Sequence, residues 1–217
     1  MLIDGLFNFL NFIVSPSDQP QKYLAFVGVV LLVNVLVALL DWKWGHGIAF
    51  TALALLAAAY YAYFSLVYLQ ALRQSVEQAL AEPQARFYLG VAVGITYWYI
   101  FALPVLLGQG IGALVLAGVS RQRGWIIGCA IALALTVVAP FLAAWMTRTL
   151  SAGIDSFDSP HAIYDRDMRL LQAHLAFVVV LFALQLLYLA YGVRRIRSST
   201  GSRRPSTAAT PLPSAQS

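Results

Sequence analysis

The chain has three histidines, His46, His161 and His174, and imidazole is its best ligand for haem iron or a transition metal. His46 and His174 make the candidate cofactor pair. Two helices that present them on one membrane face would supply two axial ligands to a haem; on opposite faces each is an ordinary interfacial histidine. A second group, Asp155, Asp158 and His161, offers oxygen and nitrogen donors to a divalent cation, with Asp165 and Asp167 close behind. Its spacing matches no calcium loop, and a solvated acidic loop is the competing reading. A third group is neutral. Pro104, Gly108, Gln109 and Gly112 interrupt an apolar stretch, and broken helix ends there would line a pore or a small substrate site.

Several chemistries lack their signatures. The sequence holds no His-Glu-x-x-His zinc motif, no Gly-x-Ser-x-Gly nucleophile turn and no glycine-rich phosphate loop ending in Lys. Ionisable residues deep in a membrane mark ion and proton paths, and the middles of the apolar stretches hold none among Asp, Glu, Lys and Arg. The polar side chains there are Asn34, Thr96, Thr136 and Gln185, types that hydrogen-bond between helices. The expectation is a protein that is not an enzyme and carries no cofactor, with haem or quinone as the alternative.

These residues must be positioned by five stretches free of Asp, Glu, Lys and Arg, at 23–40, 44–72, 87–120, 124–147 and 170–193. A hydrocarbon core about 30 Å thick takes roughly 20 residues of helix. The chain is 60% hydrophobic and 11% charged, against about 25% charged in a soluble domain. The fold class is therefore all-α, a polytopic integral membrane helical bundle over residues 23–197. Residues 1–22 read as an interfacial amphipathic helix and linker, because Asp4, Asn8, Asn11 and Ser15 fall on one helical face; packing on the bundle flank is the alternative. Residues 198–217, rich in Ser, Thr, Pro and Ala, read as a disordered cytoplasmic tail. The second helix should outrun the bilayer, since an apolar face continues through Leu72, Val76 and Leu80 as far as Pro83.

The third stretch decides the topology. As one span it gives five spans, with eight Lys and Arg on the side of the tail and six opposite. As a short hairpin or re-entrant pair it gives six membrane segments, with ten against four. The positive-inside rule favours the second arrangement and puts the C-terminus in the cytoplasm. A bacterial inner membrane is the expected location.

The net charge of +5 equals the five arginines of the tail, so no nucleic-acid surface is expected. Arg194, Arg195 and Arg197 should face anionic lipid headgroups. Gly90 and Gly94, four apart, suit close helix packing, as do the pairs Gly108 with Gly112 and Gly124 with Gly128; Asn34 and Gln185 would join helices by hydrogen bonds. The expected function is that of a non-catalytic accessory or scaffold subunit, packed against lipid and other integral membrane proteins or a second copy. A small channel or carrier for a neutral or lipidic substrate, with its site at 104–112, is the alternative, and a haem- or quinone-linked redox subunit the second.

Overall fold

The computed structural model describes residues 20–81, 91–152 and 159–201, and all regular structure among them is helical. A chain in lipid must satisfy every backbone N–H and C=O internally, and an apolar run of this length does so as a helix. There are five: α1 (Pro20–Trp44), α2 (Ile48–Ala81), α3 (Val91–Val119), α4 (Arg123–Ser151) and α5 (Pro160–Gly201). Each is long and apolar enough to cross a membrane. The N-terminal amphipathic segment and most of the tail lie outside the described residues.

Local sequence explains the helix ends. Proline occupies the first position of α1 and of α5, where its missing N–H would be unpaired anyway. Ser159 caps α5, its hydroxyl accepting from the Ala162 amide at 3.3 Å. The α3 terminus closes through Gln122 N–H to Ala117 O and Arg121 N–H to Gly118 O, both 3.0 Å, with Arg121 left-handed at φ 54°. That is a Schellman closure, with arginine where glycine is usual. It turns α4 straight back alongside α3.

Two helices exceed the bilayer. At 1.5 Å per residue α2 is about 51 Å long and α5 about 63 Å, against a hydrocarbon core of about 30 Å. The end of α2 carries an exposed Arg73–Glu77 pair at 2.9 Å, one turn apart.

The third apolar stretch is one continuous helix, which corrects the six-segment arrangement in favour of five spans. Moreover, α3 is the axis of the bundle, touching all four other helices and burying 61% of its most apolar window. Its breakers are used differently from what the sequence implied. Pro104 cannot donate to the carbonyl four residues back, Ile100 O. The hydroxyl of Tyr23, on α1, donates to that carbonyl at 3.0 Å instead. The glycines are points of close approach. A Cβ on Gly108 would lie 2.7 Å from Asn34 Nδ2, and one on Gly112 3.0 Å from Asn34 O, both on α1. On the opposite side, a Cβ on Gly110 would lie 2.9 Å from Leu133 of α4 and from the Tyr188 hydroxyl of α5. Glycine on both faces lets α3 sit between three neighbours at once.

The Tyr23 bond makes a direct test. Tyr23→Phe keeps the ring and deletes only the donor, so it should lower stability by about 1 kcal/mol. Denaturant unfolding in detergent micelles measures this, and an unchanged midpoint would mean that the Ile100 carbonyl needs no outside donor.

Aromatic side chains fill the core between α2, α3 and α5. The Tyr61 ring stacks on Phe182 at 5.8 Å and meets Trp98 edge-on at 5.7 Å, and its hydroxyl donates to Val178 O at 2.8 Å. Trp98 Nε1 donates to Ser65 Oγ at 3.2 Å. Thus the aromatic runs near 60–64 and 97–101 contribute core packing from Tyr61, Phe64, Trp98, Tyr99 and Phe101.

Candidate functional site

Three polar places stand out within the bundle. The first is where α1 crosses α3. Asn34 is 5% exposed and Gln109 1%, at the middle of their helices. Gln109 Nε2 donates to Asn34 Oδ1 at 2.7 Å, and Asn34 Nδ2 donates to Val30 O at 2.8 Å. The Val30 carbonyl fixes the orientation of both amides, because it can only accept. Beside this pair α1, α2 and α3 leave a groove of about 340 Å³ between them. Phe26, Val29, Val33, Leu56, Tyr60 and Val105 make most of its wall, with Asn34 and Gln109 at its polar edge. Val29, Val33 and Leu56 are also exposed on the outside, so the groove opens toward the surrounding lipid.

Pro104, Gly108, Gln109 and Gly112 therefore do not line a break in the helix. Pro104 and both glycines are buried in the α3 core, and Gln109 alone of the four reaches the groove. Gly94 receives the side chain of Leu72 from α2; Gly90 lies outside the described residues. Nothing comes within 4 Å of a Cβ built on Gly124 or Gly128, so that pair is not a close-packing point here. Gln185 Nε2 reaches Ala54 O on α2 at 3.4 Å, a long bond.

The second place lies toward the N-terminal end of α3. His174 of α5 is fully buried, its ring 4.8 Å from Trp98 and 5.5 Å from Tyr99, both edge-on. Two turns nearer the start of α5, on the same face, buried Asp167 takes the Arg166 guanidinium at 2.8 Å and the backbone amide of Val91. It thereby caps the first residue of α3 from another helix. Next to Tyr99, α3 and α4 enclose a second groove of about 400 Å³ with Arg148 at its rim.

The third place is at the other end of the bundle. Asp41, 1% exposed, stands in the last turn of α1 and accepts the Ala49 amide on Oδ1 at 3.3 Å, so it caps α2. Arg195 of α5 faces it within electrostatic range and donates to Ser120 Oγ, beside the Tyr191 hydroxyl. Gly47 lies against this arginine: a Cβ there would meet Arg195 Cβ at 2.8 Å and Ile196 N at 2.9 Å.

That contact also separates the candidate haem ligands. His46 precedes Gly47 at the Arg195 end, whereas His174 is 21 residues back along α5. The two are about 31 Å apart along the helix and share no ligand within one chain. Of the candidate metal group, Asp155 and Asp158 lie outside the described residues, and His161 stands in the first turn of α5. Among the described residues no three His, Cys, Asp or Glu side chains gather for a metal. Arg194 and Arg197 are exposed, Arg194 lying 5.8 Å over the Trp125 ring; Arg195 alone turns inward.

Sequence reasoning passed over Tyr23 and Asp41. Asp41 carried a usable signal, an acid at the end of an apolar run before two glycines and a new run, which is the pattern of a helix cap across a turn. Tyr23 carried none, because its partner is a carbonyl 77 residues away. No family model, curated relative or solved structure matches the chain.

Proposed function

We propose that the protein is a non-catalytic accessory protein of a membrane that binds a neutral, lipidic molecule in the groove between α1, α2 and α3. The groove itself carries the reading. It opens to lipid at mid-helix depth, its walls are apolar, and no charged side chain lines it. Its volume of about 340 Å³ is roughly twice that of a cavity that takes one benzene, which suits a hydrocarbon chain or a small ring system. The Asn34–Gln109 bond holds α1 to α3 at that level. The outward apolar faces of α1 and α4, including Leu32, Leu36, Ile131 and Phe141, suit lipid and other membrane helices.

In this reading the face that carries Lys43, Arg121, Arg123 and the tail arginines is cytoplasmic, and a bacterial inner membrane is the setting. Exposed Arg194 and Arg197 then meet anionic headgroups.

Native mass spectrometry of protein purified in mild detergent tests the proposal. The wild type should retain a neutral lipid adduct. Val33→Trp, which places a large ring in the groove, should abolish it while leaving the protein folded. An adduct equally abundant in the variant, or none in the wild type, would overturn the reading.

A further inference from the structure

We infer that the separate groove between α3 and α4 is a binding site for an anionic phospholipid, with the phosphodiester on Arg148 and one acyl chain running inward past Tyr99 to Pro140. This site lies on another face of the bundle and takes the opposite class of ligand from the neutral groove.

Arg148 and Thr147 stand in the last turn of α4, about 4–6 Å from its end, and Thr96 about 8 Å from the start of α3. Tyr99 and Ala143 are about 12 Å in, and Pro140 about 17 Å. All six line the one groove. Its lining thus runs from a cation through hydroxyls to hydrocarbon over the distance at which a phospholipid runs from phosphate through esters to acyl chain.

Charge narrows the ligand. Arg148 is exposed, no carboxylate lines the groove, and none among the described residues pairs with it. A guanidinium presents a fork of N–H donors that matches phosphate oxygens two at a time. The threonines add no competing donor, since Thr96 Oγ1 gives its proton to Ala92 O at 3.0 Å and Thr147 Oγ1 to Ala143 O at 2.8 Å. The Tyr99 hydroxyl is the one polar group at depth, and it has no partner among the described residues.

The apolar half is hollow because of the residues beside it. Ala143 and Ala144 present only methyl groups toward α3, and Pro140 adds a compact ring. The resulting volume of about 400 Å³ is between two and three times that of a benzene-sized cavity, room for a dozen or so carbons of chain.

The test uses the full-length protein, delipidated in detergent and titrated by native mass spectrometry with phosphatidylglycerol and with phosphatidylcholine of the same chains. Wild type should bind the anionic lipid about tenfold more tightly than the zwitterionic one. Arg148→Gln should remove most of that preference, Arg148→Lys should retain part of it, and Arg123→Gln, exposed at the opposite end of α4, should leave it intact. Ala144→Phe should weaken both lipids by filling the chain channel; Ala144 is exposed, so this variant tests the groove without disturbing the core. No preference in the wild type, or a preference that survives Arg148→Gln, overturns the inference. Loss on Arg123→Gln but not on Arg148→Gln would do the same, by moving the site to the other end of α4.

Discussion

Replacing Gly47 by alanine should destabilise the bundle by about 2–5 kcal/mol, from two sources that can be separated. The first is conformational. Gly47 has φ +73°, and a left-handed L-residue costs about 1–2 kcal/mol. The second is steric. The new methyl would lie 2.8 Å from Arg195 Cβ and 2.9 Å from the Ile196 backbone nitrogen. Backbone cannot swing aside as a side-chain tip can, so the α1–α2 turn must lift off α5, and overpacking of this kind costs about 1–3 kcal/mol. Gly45 supplies the control, because its φ is +72° and nothing lies within 4 Å of its Cβ position. Gly45→Ala should therefore show the conformational cost alone. Denaturant unfolding of both variants in the same micelle reads the difference. Equal losses would mean that the turn does not rest on α5 in solution.

How much of this was legible in the sequence follows from the range of each interaction. The five helices announce themselves because hydrophobicity sums over some twenty residues, and no long-range contact is needed to read it. The course of α3 was harder to read, since Pro104 and the glycines at 108, 110 and 112 are breakers by every local criterion. They are tolerated through contacts with Tyr23, Asn34, Leu133 and Tyr188, all on other helices. Local rules give the cost of a proline or glycine, and only the packing shows what offsets it. The headgroup assignment grouped Arg195 with its neighbours, whereas helical phase turns Arg195 inward and leaves Arg194 and Arg197 outside. Asn34 and Gln109 were both visible as mid-membrane amides, but their pairing, and the groove beside it, needed the α1–α3 crossing.

Asp41→Ala is expected to cost about 1–2 kcal/mol, the scale of losing a helix cap. The carboxylate serves two structures at once. Oδ1 accepts the Ala49 amide at the start of α2, where the helix dipole favours negative charge, and a cap of this kind contributes about 1 kcal/mol. The same group faces Arg195, whose side chain is turned into the bundle toward Ser120 and Tyr191. Asp41→Asn keeps an oxygen for Ala49 but removes the charge, so its cost should fall between those of wild type and alanine. Arg195→Met separates the two roles. If the charges are coupled, the Asp41→Ala, Arg195→Met double variant should be more stable than the sum of the single losses predicts, by at least about 1 kcal/mol, because removing both partners leaves no isolated charge. Strict additivity would instead make Asp41 a helix cap and nothing more. The coupled outcome ties the α1–α2 turn to the last turns of α5, and with them the placing of the two helices that wall the neutral groove. Asp41→Ala should accordingly weaken the lipid adduct at that groove even though the residue lies seven positions along α1 from Asn34.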